Sequence, residues 1–204
     1  MRAVRGSGLD GDRAGLLRAF GRPPGGSRPR RVRPDSRLRA HGRPDPGGRR
    51  GGHPAALTLA ATLPAGAPRA YVGFSLGGHL GVLAATRVPF DLVVSVYGGW
   101  TTDGGIPLAT PEPPLSETGA AAIARHGNRV LALVGDRDHL IDADERGRID
   151  RRLKAAGVPH ELRVYEDAPH GFLCEDRPNT YDAGASEDAF GRIVGALEGL
   201  RSGG

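Results

Sequence analysis

The chain is poor in cysteine, aromatic residues and lysine. A single cysteine, Cys174, among 204 residues allows no internal disulfide, which excludes a disulfide-stapled secreted scaffold. Aromatic residues make up 5% of the chain, so a core must rest on the alanine, valine and leucine within its 38% of hydrophobic residues. No apolar run approaches the roughly 20 residues that span a bilayer. The charged start, Met1 to Asp10, leads into no apolar stretch and does not read as a secretory signal. These features together predict a cytoplasmic protein with no membrane contact. Lysine occurs once against 27 arginines, a bias that points to GC-rich coding.

What is there divides sharply. Residues 1–53 hold 14 arginines, 12 glycines, 6 prolines and only 4 acidic residues, a net charge of +10. Residues 54–204 carry −5, so the net +5 of the chain belongs to its first quarter. Within 1–53 eight large apolar residues are scattered without helical or alternating period. Such text buries too little surface to offset its chain entropy, and disorder is expected, with at most a short helix over Arg13–Phe20. Out-of-frame GC-rich coding yields the same composition, so a non-native or degraded segment is the leading reading. A solvated tail, with a transit peptide as a minor variant, and a basic arm for nucleic acid stand as alternatives. The domain division is therefore 1–53 as an arm and 54–204 as a folded body.

From residue 54 the pattern alternates. A short helix is expected over Pro54–Thr62 and a buried strand over Arg69–Phe74. Leu76–Thr86 reads as a helix lying close to a sheet. Asp91–Tyr97, Val130–Val134 and His160–Tyr165 read as further strands, and Gly98–Thr118 as a long loop. Helices are expected over Gly119–His126, Asp142–Ala156 and Ser186–Leu200, the last capped by Ser186. Strands alternating with helices predict an α/β fold with a mostly parallel sheet flanked by helices.

Gly73-Phe74-Ser75-Leu76-Gly77-Gly78 fits G-x-S-x-G between a predicted strand and a predicted helix. The glycines make room for a sharp turn that lifts the Ser75 hydroxyl above the sheet edge. The turn also leaves the Leu76 amide at a helix N-terminus, aimed where an oxyanion would form. A serine hydroxyl needs a histidine to take its proton and a carboxylate to orient that histidine. The third predicted strand runs into Gly135-Asp136-Arg137-Asp138-His139, and the fourth into Glu166-Asp167-Ala168-Pro169-His170. Both loops fall at carboxyl ends of strands, where open parallel sheets bind ligands.

Other candidates carry blander readings. Asp136, Asp138, Asp142 and Asp144 suggest a calcium loop, but Leu140 and Ile141 occupy the places that need an oxygen ligand and a glycine. His79 follows Ser75 by one helical turn, as a pocket wall or, more simply, a packed histidine. His139 reads as a residue of the pocket rim; His126 and His160 read as surface. Arg177 fits a substrate carboxylate or plain surface, Tyr97 and Trp100 a pocket wall or core. Cys174 has no neighbouring cation in the sequence to make it reactive. The glycine runs near Gly25 and Gly51 lack the context of a phosphate loop.

GFSLGG, VLALVGDRDHLI and AAGVPHELRVYEDAPHGF, followed by RPNTYDAGASEDAF, resemble the dienelactone hydrolase family of α/β hydrolases across about residues 68–200. Carried over by position, the resemblance implies Ser75 as nucleophile, Asp138 rather than Asp136 as the orienting acid, and His170 as base. It implies hydrolysis of a small ester or lactone with no cofactor and no metal. The best-known members use cysteine where this chain has Ser75, which favours generic esters or lactones over the dienelactone. In the family several strands and a donor loop precede the nucleophile strand. Here Arg/Gly/Pro text fills that stretch, with Val32–Arg37 a faint echo, and the expectation is an N-terminally truncated or degraded relative. Its activity would be reduced, and its open sheet edge would favour pairing with another chain. A relative that only binds a ligand or partner, and a nucleic-acid binder acting through the arm, are the alternatives.

Overall fold

A computed structural model describes residues 66–103 and 112–202. The helices expected over Arg13–Phe20 and Pro54–Thr62, the arm itself and both early glycine runs lie outside the described residues. Within them the chain alternates as read. The elements are β1 (Ala70–Phe74), α1 (Leu76–Ala85), β2 (Leu92–Val96), α2 (Glu117–Arg125), β3 (Val130–Arg137), α3 (Ala143–Ala155), β4 (His160–Pro169) and α4 (Ala183–Ser202). The four strands form one sheet in the order β1-β2-β3-β4, each pair parallel.

That order has a simple consequence. All four strands end at the same edge, and the residue immediately after each is Ser75, Tyr97, Asp138 and His170 in turn. Backbone bonds continue the pairing into these positions: the Ser75 amide donates to the Val96 carbonyl (2.9 Å) and the Tyr97 amide to that of Leu133 (2.7 Å).

The core is built mainly of valine, leucine, isoleucine and alanine, with Phe90, Tyr97, Tyr165 and Phe172 added among them. β2 is buried along its whole length, and Val93, Val94, Val96, Leu133, Ile123 and Phe172 are closed to solvent. Continuous burial of this kind marks a strand covered on both faces. Helix α3 buries Glu145, Ile149 and Leu153, one residue per turn, and leaves its charged faces outside.

Several boundaries differ from the sequence reading for identifiable reasons. Strands β3 and β4 run on past Val134 and Tyr165, with Arg137 paired to Pro169 after a register shift at Gly135. The Arg137–Asp167 ion pair (2.5 Å) closes over this charged extension, which the sequence presents as loop. Helix α2 begins at Glu117 because the Ser116 hydroxyl accepts from the Gly119 amide. Helix α4 begins at Ala183, three residues before the expected start. The Asp182 carboxylate accepts from the Ala185 amide and does the capping assigned to Ser186, which lies buried inside the helix. His160, read as surface, packs against its own turn, its ring bonded to the Val158 carbonyl (2.8 Å) and to Asp150 (3.2 Å).

One buried polar side chain ties three segments together. Asn128 is closed to solvent, accepts from the Phe90 amide and donates to the carbonyls of Ala85 (2.8 Å) and Val88 (3.3 Å). Removing it strands those groups in the interior. Asn128→Ala is expected to lower stability by about 3 kcal/mol. Urea denaturation measures this, and a loss within experimental error would contradict the assignment.

Candidate active site

Ser75 occupies the turn between β1 and α1 at φ 53° and ψ −120°, a conformation unusual for a residue with a side chain. The turn holds because its surroundings leave no alternative. The Ser75 amide is bonded to β2, and its carbonyl accepts from the amides of Gly78 (2.9 Å) and His79 (3.2 Å). The two glycines flanking the serine are not equivalent. A Cβ on Gly73 would lie 2.2 Å from the Gly77 carbonyl oxygen, whereas a Cβ on Gly77 would meet nothing within 4 Å. The sequence reading demanded space at both positions; the close approaches are at Gly73 and at Gly78, where an added Cβ would lie 2.8 Å from the Ser95 hydroxyl oxygen.

The Ser75 hydroxyl lies 2.9 Å from Nε2 of His170. Nδ1 of the same ring lies 2.8 Å from Oδ2 of Asp138. The other carboxylate oxygen, Oδ1, accepts from the Leu140 amide (2.9 Å), which holds the loop after β3 in a tight local turn. The Asp138 side chain is fully buried, while Asp136 is exposed. A carboxylate can only accept, so Nδ1 of His170 carries the proton and Nε2 is left to accept from Ser75. The structure therefore brings Ser75, His170 and Asp138 into one hydrogen-bonded line and leaves Asp136 outside it.

The other candidates fall around this line. His79 is 3% exposed, and its Nδ1 donates to the Gly99 carbonyl (3.0 Å). Burial pushes its pKa down, so it acts as a neutral tether for the loop after β2. His139 is exposed, with its ring 5.9 Å from that of His170, at the rim as expected. Trp100 is half-buried at φ 54° on the same loop as Tyr97. Tyr97 is buried, with its ring 5.1 Å from the His170 ring. Cys174 is half-buried, 4.0 Å from the Tyr97 hydroxyl. Its surroundings include a cation that the sequence does not show: Arg177 Nη1 and Cys174 Sγ both border the Gly171 turn. Asp142 caps α3 through the Glu145 amide (2.7 Å), and no metal-binding cluster of histidine, cysteine and carboxylates occurs among the described residues. Phe74 and Leu76, each 38% exposed, flank Ser75 with apolar surface.

Glu145 is the participant that sequence reasoning missed. Its buried carboxylate accepts from the Thr101 amide (2.9 Å) and hydroxyl (3.2 Å), and from the Thr102 amide (3.2 Å) and hydroxyl. Arg148 pairs with it at 3.1 Å, and Arg152 donates to the Thr102 carbonyl (2.7 Å). This network fixes the loop that leaves β2 beside the site. The signal was available: Glu145 shares the buried stripe of α3 with Ile149 and Leu153, where a carboxylate needs partners.

Two clefts of about 480 Å³ each open elsewhere. They are lined by Arg69, Leu92, Val130 and His160, at the opposite ends of the strands, and belong to no part of this line.

A parallel sheet that presents a strained serine at a strand–helix turn, with acid and histidine after later strands, defines an α/β-hydrolase fold. A crystal structure from Klebsiella pneumoniae, named provisionally as a dienelactone hydrolase, superimposes with a TM-score of 0.56 at 27% identity, over 63% of this chain and 51% of that one. The dienelactone hydrolase family profile matches residues 52–199, and the chain belongs to that family. The carboxymethylenebutenolidase of Rhodococcus opacus is 33% identical over 128 residues, 62% of this chain and 48% of its own. A Synechocystis protein that carries the same activity provisionally in its name is 30% identical over 144 residues, 68% of this chain and 54% of its own. The chain spans about half the length of these relatives. No helix among the described residues is long and apolar enough to cross a membrane.

The asymmetry of the glycines is testable. Gly73→Ala forces Cβ onto backbone and is expected to destabilise by about 3 kcal/mol or more. Gly77→Ala meets open space in a helix and should be neutral or stabilising by up to about 1 kcal/mol. Thermal melts of both variants compare them directly, and equal losses would contradict the geometry.

Proposed function

We propose that the protein is a serine hydrolase that cleaves a small carboxylic ester or lactone through an acyl-enzyme intermediate. The observation that carries this reading is the hydrogen-bonded line from Ser75 Oγ through His170 to Asp138. Membership of the dienelactone hydrolase family supports the same chemistry.

In the proposed reaction His170 Nε2 takes the proton of Ser75 as the oxygen attacks the carbonyl carbon. Asp138 holds the ring in the required tautomer and stabilises the imidazolium that forms. The Leu76 amide, first in helix α1 and with no carbonyl one turn back to receive it, donates to the developing oxyanion. The imidazolium then returns its proton to the leaving alkoxide. Water, activated by the same histidine, releases the acid and regenerates the hydroxyl. Phe74 and Leu76 offer the apolar part of the substrate a surface on either side of the serine. The reading extends to a hydrolase domain of about residues 54–204, working in the cytoplasm on a small ester or lactone without a cofactor.

Hydrolysis of p-nitrophenyl acetate and of a simple butenolide by the full chain tests the proposal. Ser75→Ala should abolish turnover of both, and Asp138→Asn should lower kcat by about 10⁴-fold. Turnover that survives Ser75→Ala would overturn the assignment of the nucleophile.

A further inference from the structure

Three of the four residues that follow the strands are accounted for by the line from Ser75 to Asp138. The fourth, Tyr97 after β2, is held in a costly way. It is a bulky residue at φ 40°, a region that aromatic side chains seldom adopt, and only 4% of it is exposed. Its amide is bonded to the Leu133 carbonyl of β3, so the backbone has no freedom to relieve that angle. The ring it delivers lies between Phe74 (6.2 Å), Phe172 (5.4 Å) and His170 (5.1 Å). Against His170 the planes cross at 62°, an edge-to-face arrangement within the usual range for aromatic pairs.

We infer that Tyr97 is a positioning residue, whose ring holds the His170 imidazole on the line between Ser75 and Asp138. The inference rests on His170 serving as the base. Asp138 fixes only one end of the imidazole; a ring packed against its side removes the remaining swing. The charged and titratable groups around the imidazole are Asp138 from the loop after β3, His139 at the rim, and Cys174 and Arg177 around the Gly171 turn. Of these, Asp138 also orients the imidazole through its hydrogen bond, so the contribution of Tyr97 is separated only by changing Tyr97 itself. The hydroxyl is a minor partner, 4.0 Å from Cys174 Sγ.

The test follows p-nitrophenyl acetate hydrolysis against pH in the full chain. Tyr97→Leu should lower kcat about tenfold or more with KM changed less than about threefold. Tyr97→Phe, which keeps the ring, should restore kcat to within about threefold. A Tyr97→Phe variant as impaired as Tyr97→Leu, or a Tyr97→Leu variant with kcat unchanged, would overturn the inference. Should Tyr97→Leu not fold, Tyr97→Met takes its place with the same expected outcomes. Should the unaltered chain not hydrolyse the ester, the hydrolase proposal fails by itself. The proton signal of His170 Nδ1–H bonded to Asp138, followed by NMR, then decides the role of Tyr97: a signal kept in Tyr97→Phe and broadened or lost in Tyr97→Leu supports it, and one unchanged in Tyr97→Leu overturns it.

Discussion

The site depends on one hydrogen bond, between Nδ1 of His170 and the buried carboxylate of Asp138 (2.8 Å). A buried carboxylate must be satisfied, and here its two oxygens have separate duties. One accepts from the Leu140 amide and shapes its own loop; the other turns the imidazole. With Nδ1 committed as donor, Nε2 can only accept, and among the described residues the group facing it at hydrogen-bond distance is the Ser75 hydroxyl.

The parallel sheet brings those side chains together. Residues separated by 95 positions, Ser75 and His170, meet because β1 to β4 end at a common edge and each strand hands its next residue to that edge. Local devices refine the placement. The Gly73–Gly77 approach bends the chain at Ser75, and the Asx-type turn of Asp138 fixes the acid. The Glu145 network holds the loop after β2 in place, the segment that carries Tyr97 and Trp100. Strain at Ser75 and at Tyr97 is concentrated where the site lies and is sustained by backbone bonds into the neighbouring strands.

Much of this was legible in the sequence. G-x-S-x-G between an apolar run and a small-residue helix gave the turn, and the two later loops gave Asp138 and His170, which lie in one hydrogen-bonded line with Ser75. What was not legible has physical reasons. The extensions of β3 and β4 are charged and contain Gly135 and Pro169, which read as loop, yet pairing across Arg137–Pro169 and the Arg137–Asp167 ion pair hold them as strand. Ser186 looks like a cap in isolation, but Asp182 caps the helix one turn earlier through the Ala185 amide. The choice between Asp136 and Asp138 required the family resemblance, because spacing alone does not say which of two nearby carboxylates turns inward. Gly77 looked as constrained as Gly73, because a motif records residue types and not the direction in which each Cβ would point.

The most direct measurement of the central claim is covalent labelling of the full chain with a fluorophosphonate ester, with the modified residue located by mass spectrometry. Such probes react with a serine only when a neighbouring base removes its proton. The account predicts a single adduct on Ser75 that disappears in His170→Ala. An unlabelled Ser75, or labelling that persists without His170, would contradict it.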